Sequence, residues 1–171
     1  MMKTDFLRSF KDAVMAIECR KIVTVGGVGD RKPAPGTLGS LIAVPFGLLV
    51  LVALGAKALA IMAVLLFLVG WWAVHKAKGQ FAAVDAPQIV VDEVVGMWLS
   101  LLVINPTNPI EVVMAFAFFR YFDIDKPWPI SWVQRRAVNA FGVMFDDVLA
   151  AGYATVFLLA FVPLVRAYLW S

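Results

Sequence analysis

The chain has 171 residues, of which 62% are hydrophobic and only 16% charged, and its mean hydropathy is +0.86. Soluble domains carry roughly 25% charged residues, so the composition excludes an ordinary soluble domain and points to one membrane-embedded domain spanning residues 1–171. The net charge of +3 is small and no nucleic-acid partner is expected; the single cysteine excludes an internal disulfide and the single histidine excludes a histidine-rich zinc site.

Residues 1–21 carry an amphipathic pattern. Phe6, Leu7, Phe10, Ala13, Val14 and Ile17 follow helical spacing over residues 4–20, with Thr4 as N-cap and Lys3, Arg8 and Lys11 facing away. The segment suits either a packed surface helix or a helix lying in the membrane interface. It lacks the apolar core of a cleaved secretion signal. A Gly- and Pro-rich loop follows over 26–40, and then two apolar runs, Leu38–Leu54 and Ala58–Val74, each near the ~20 residues that span a bilayer. Gly55-Ala56-Lys57 turns one into the other. Ile89–Ile104 is a third apolar segment, "NPTNP" (105–109) a turn, and Ile110–Phe122 a fourth segment, ended by Pro127 and Pro129. Residues 130–142 read as a short surface helix, and Asp146–Arg166 as a fifth segment. The third and fourth segments are short for full spans, which tilt, burial by neighbours or local thinning accommodates. The fold class expected is all-α: a multi-pass helical membrane bundle of four to five segments.

Loops assigned alternately to two sides separate the charges. Thirteen of the fifteen basic residues fall on the side holding residues 1–37, 75–93 and 120–147, leaving Lys57 and Arg166 on the other. That bias makes the first side cytoplasmic, with the N-terminus inside. Eleven of the twelve acids lie there too, Glu111 being the exception. Asp92-Glu93, Asp123 and Asp146-Asp147 fall at the cytoplasmic ends of three different segments and can converge if those helices pack together.

A charge within a membrane costs about 2.5–3.5 kcal/mol at mid-depth and less near the interface, so clustered carboxylates need an offset: basic partners, a divalent cation or protonation. Arg120 shares a helix face with Asp123 and Lys126 follows three residues later, whereas Asp92-Glu93 and Asp146-Asp147 have no local base. Oxygen ligands without Cys or His suit a hard cation such as Mg²⁺. The plain alternative is an acidic helix N-terminus favoured by the helix dipole; it suits Asp146-Asp147 better than Asp92-Glu93, which interrupts an apolar run. Gly96, four residues after Asp92, leaves room for a neighbour, as does "LAAG" (149–152) after the second pair.

"APGTLGS" (34–40) opens the first span. Thr37 and Ser40 offer hydroxyls, either as ordinary caps or, with the free N–H groups of the helix start, as an anion site. The loop lacks the lysine of a phosphate-binding P-loop, and "GGVGDR" lacks the third glycine of a dinucleotide fingerprint. Oxygen-ligated metal, basic side chains and an anion-friendly loop at a membrane surface together suit phosphoryl chemistry on a lipid head group.

Four motifs in series carry a resemblance: "APGTLGS" (34–40), "IVVDEVVGMW" (89–98), "FRYFDIDKPWPI" (119–130) and "FDDVLAAG" (145–152). Over residues 22–165 the chain resembles the phosphatidylglycerophosphatase A family of bacterial membrane phosphatases. The resemblance implies Mg²⁺-dependent hydrolysis of phosphatidylglycerophosphate to phosphatidylglycerol and phosphate, in the bacterial inner membrane, with the active site at the cytoplasmic face. It implies catalytic roles for Asp92, Glu93, Asp123, Asp146 and Asp147, and phosphate binding by Thr37, Ser40, Arg120 and Lys126. Asp92, Glu93, Asp146 and Asp147, with or without Asp123, would hold Mg²⁺, and Asp85 is a lesser candidate among the acids. The attacking group is a water or an aspartate, and the number of metals and subunits stays open. The alternative function is a cation-coupled transporter using the same acids. It is disfavoured because the acids crowd one end and the outer half carries few polar groups.

Overall fold

A computed structural model of the chain describes residues 14–77, 79–136 and 138–169, and their regular structure is helical throughout. The expected N-terminal helix therefore lies outside the described residues up to residue 13. Its remainder, helix α1 (14–23), buries Cys19 and Val23 but leaves Val14 and Ile17 44% and 55% exposed. An apolar face uncovered by protein favours the interfacial setting over a packed surface helix.

Helices α2 (Pro35–Leu54) and α3 (Ala56–Lys76) form the expected hairpin around Gly55. At 1.5 Å per residue each is about 30 Å long, the thickness of a bilayer's hydrocarbon core. Together with α7 (Ala140–Leu169) they are, among the described residues, the helices long and apolar enough to cross a membrane. Leu49, Val52, Ile61, Val64, Val156 and Leu159 on these helices stay more than half exposed, as a lipid-facing surface requires.

Helix α4 (Val91–Ser100), extended by a 3-10 turn over Leu101–Val103, is too short to span. It is instead the centre of the bundle, packed on α2, α3, α7 and α5 (Pro109–Asp125). This placement allows a segment with two acids to sit inside an apolar protein. The interfaces are built on small residues: Ala43, Ala63, Ala73, Ala115, Ala150, Ala151 and Ala154 are buried. Among membrane helices close backbone approach replaces the hydrophobic effect as the source of packing energy. Phe119, Met97, Leu101 and Leu158 fill the space between them, and Trp98 Nε1 donates to Ala43 O at 3.0 Å, locking α4 to α2.

Helix α5 starts where Asn108 caps it, accepting from Ile110 N at 3.1 Å, and stops at Lys126, whose φ of 45° is left-handed. A seven-residue helix, α6 (Ile130–Arg136), follows. The expected surface helix over 130–142 thus ends early. Asn139 Oδ1 accepts from Phe141 N and Gly142 N, both at 3.0 Å, and starts α7 at Ala140.

Candidate active site

The starts of α2, α4 and α7 and the ends of α3 and α5 meet at one end of the bundle, and all four sequence motifs meet there. Helix α4 begins at Val91, so Asp92 and Glu93 occupy its first turn, where the helix dipole favours them; Asp92 Oδ1 also accepts from Glu93 N at 3.1 Å. Asp146 and Asp147 sit about two turns inside α7. The dipole reading expected for the second pair therefore belongs to the first.

Asp92, Asp123, Asp146 and Asp147 are buried, and Glu93 is partly so. Carboxylate oxygens of Asp92, Glu93 and Asp147 lie within 4.8 Å of one another. With all three ionised, each pair would repel by ~3–4 kcal/mol at an effective dielectric of about 20, a load close to the whole stability of a typical domain. The basic side chains bond other acids first: Arg120 Nη1 pairs with Asp123 Oδ2 and Lys126 Nζ with Asp146 Oδ2, each at 2.5 Å. Asp147 Oδ2 and Glu93 Oε2 are buried without a hydrogen-bond partner. Two orphaned oxygens in an all-carboxylate set fit a hard divalent cation, which could be held by Asp92, Glu93 and Asp147.

Lys126 supplies the base that the sequence seemed to withhold from Asp146. Burial disfavours its ammonium, but the neighbouring charges of Asp146, Asp147 and Asp123 outweigh that and hold its pKa above the usual lysine value. Its ammonium is held in the charged form beside Asp146.

Thr37 and Ser40 do not cap α2, whose N-cap is Ala34 without a side-chain bond. Ser40 Oγ donates to Gly36 O at 3.0 Å, and Arg120 donates from Nη1 to Ser40 Oγ (3.3 Å) and from Nη2 to Thr37 Oγ1 (3.4 Å). Arg120 thereby bridges α5 to α2, beside first-turn N–H groups with no intrahelical partner. A side chain at Gly36 would overlap the Glu93 carboxylate, and one at Gly96 would strike Phe119 and approach Asp147 O to 3.0 Å. Gly36 is clearance for the Glu93 carboxylate, and Gly96 for the Phe119 ring and the backbone of α7. Gly152 faces open space, so Ala150, Ala151 and Ala154 provide the close packing that "LAAG" suggested.

Asp85 stands at the rim, exposed, accepting from Gln134 Nε2 at 3.1 Å and sharing a cavity of about 110 Å³ with Asp146. Asp30 pairs with Arg20 at the surface (2.6 Å), while Arg31 and Lys32 are exposed. Tyr153 escaped the sequence reading: its hydroxyl donates to Trp128 O at 2.7 Å and pins the turn after Lys126. Its position two turns beyond Asp146, on the same helix face, was the available signal.

The far end is not featureless. Glu111, 1% exposed, receives Arg166 Nε and Nη2 (both 2.8 Å), Asn105 N (2.7 Å) and Asn108 Nδ2 (3.0 Å), a network closed on itself. Among the described residues Ser100, bonded to Gly96 O, is the only buried polar side chain between the two ends.

A helical membrane bundle with buried carboxylates and fixed cations at one end defines a membrane-embedded enzyme of phosphoryl chemistry. A family model described as Phosphatidylglycerophosphatase A matches residues 21–162, and the chain belongs to that family. It is 41% identical over 140 residues to the phosphatidylglycerophosphatase A of Haemophilus influenzae, covering 81% of this chain and 86% of that protein. It is 37% identical over 131 residues to the protein of the same name in Escherichia coli, covering 75% of each. No solved structure gives a significant match.

Proposed function

We propose that the protein hydrolyses phosphatidylglycerophosphate to phosphatidylglycerol and inorganic phosphate, with Mg²⁺ as cofactor, at the cytoplasmic face of a bacterial inner membrane. The observation that carries this reading is the trio Asp92, Glu93 and Asp147, whose oxygens gather within 4.8 Å without a basic partner while Arg120 and Lys126 stand beside them. Asp92, Glu93 and Asp147 would hold the ion. Bound there, Mg²⁺ supplies Lewis-acid stabilisation of the phosphoryl oxygens.

The remaining residues bind and orient. Asp123 aims Arg120, and Asp146 aims Lys126, at the phosphate, where fixed cations stabilise the charge of transfer. Thr37, Ser40 and the N–H groups of Gly36 and Thr37 complete the phosphate site from α2. Water supplies the attacking oxygen, and the leaving lipid alcohol takes up a proton. The basic residues gathered at this end, against Lys57 and Arg166 at the other, support a cytoplasmic site.

The test is phosphate release from phosphatidylglycerophosphate by the purified protein in detergent, with and without Mg²⁺, using phosphatidate as comparison. Mg²⁺-dependent release that Asp92→Asn and Asp147→Asn abolish is expected. No release with metal present, or full activity in both variants, overturns the proposal; a trapped phosphoaspartate overturns its water step.

A further inference from the structure

The surface of α6 and the turn before it is used neither by the fold's core nor by the site. We propose that it is a binding surface for the headgroups of anionic phospholipids at the membrane–water boundary.

Helix α6 has two unlike faces. Ile130 is buried and Val133 half-buried on one, while Trp132, Arg135 and Arg136 are exposed on the other, at spacings of three and four residues. The Arg136 guanidinium lies over the Trp132 ring, 5.6 Å from its centroid, so the charge and the aromatic plane are presented together. Trp128, in the preceding turn, is 74% exposed although its carbonyl is held by Tyr153. The indole is thus displayed by a fixed backbone. Beyond the helix Val138 is also exposed.

Charge and position identify the occupant. From Pro127 to Phe145 the charged residues are Arg135 and Arg136, with no acid among them; exposed Asp125 precedes the stretch, and exposed Asp85 bonds Gln134, two residues from Trp132 and so on another side of α6. Tryptophan beside arginine is the composition of a membrane interface, and the two arginines flanking Trp132 on one helix face attract anionic lipid there. Tyr121 and Ile124, on the last turns of α5 just before this stretch, are also exposed.

The experiment places the full-length protein in nanodiscs of brominated phosphatidylcholine, with and without brominated phosphatidylserine. The α6 signal is the fluorescence difference between wild type and Trp128→Phe/Trp132→Phe. Phosphatidylserine is expected to deepen quenching of that signal severalfold, high salt to reverse the gain, Arg135→Gln/Arg136→Gln to lose it and Arg135→Lys/Arg136→Lys to keep it. Equal quenching in both lipid mixtures, or free access of aqueous iodide to these tryptophans in the anionic discs, overturns the proposal. The readout is binding, so it stands or fails independently of the phosphatase reaction.

Discussion

Lys126 Nζ lies 2.5 Å from Asp146 Oδ2 and 3.7 Å from Asp123 Oδ1, so one ammonium joins the end of α5 to the interior of α7. Its backbone adopts a left-handed conformation that costs a non-glycine residue on the order of 1–2 kcal/mol. Strain retained at a residue that cross-links two motifs is the pattern of a functional position.

Lys126→Met is therefore expected to lower turnover by about 10²-fold or more, the usual effect of removing one fixed donor to a developing charge. It also leaves Asp146 buried without its partner, and losing half of a buried pair costs ~3–5 kcal/mol. Phosphate release read beside a thermal melt checks both. A variant with normal turnover would remove Lys126 from the phosphate site.

The carboxylate trio predicts opposite effects on stability and metal response. Asp147→Asn removes one of three mutually repelling charges, so the metal-free protein should melt no lower than wild type. The rise in Tm on adding Mg²⁺, expected of wild type by mass action, should disappear in the variant. An equal Mg²⁺ shift in both would place the ion elsewhere.

Two glycines on adjacent acidic helices should respond with opposite signs. Gly96→Ala puts a methyl against Phe119 and the Asp147 carbonyl, and overpacking of this kind costs ~1–3 kcal/mol. Gly152→Ala meets nothing within 4 Å and gains ~0.5–1 kcal/mol of helix preference. Melting curves of the two variants in one detergent decide the matter. Gly36→Ala, which displaces Glu93, should reduce activity with little change in Tm.

Cys19 is 1% exposed on α1, and burial pushes its thiol pKa up. Less thiolate at a given pH means slower alkylation, so iodoacetamide at mildly alkaline pH should label the folded protein far more slowly than the protein in SDS. Rapid labelling of the folded form would show that α1 is not seated on the bundle.

Much of the site was legible because helix directions alternate and charge reports sidedness: counting loops brought Asp92, Asp123 and Asp146 to one end before any packing was known. Depth along a helix was not legible. The run "AFGVMF" reads equally as surface helix or as the first turns of a span, and only the Asn139 cap decides that α7 starts at Ala140. The same ambiguity hid the pairing of Lys126 with Asp146, since the two are joined by a turn and a seven-residue helix that periodicity cannot orient. Glu111 and Arg166 were visible as isolated outer charges, but a contact across 55 residues leaves no local pattern.

That distant contact has a mechanical consequence. Arg166 grips both oxygens of Glu111 while Asn105 and Asn108 hold the same carboxylate, so α5 and α7 share a fixed pivot far from the acids. With Lys126 bonding Asp146 and Tyr153 holding the turn after α5 at the opposite end, the two helices are clamped at both ends, so the separation of Asp123 from Asp146 and Asp147 is set from two sides.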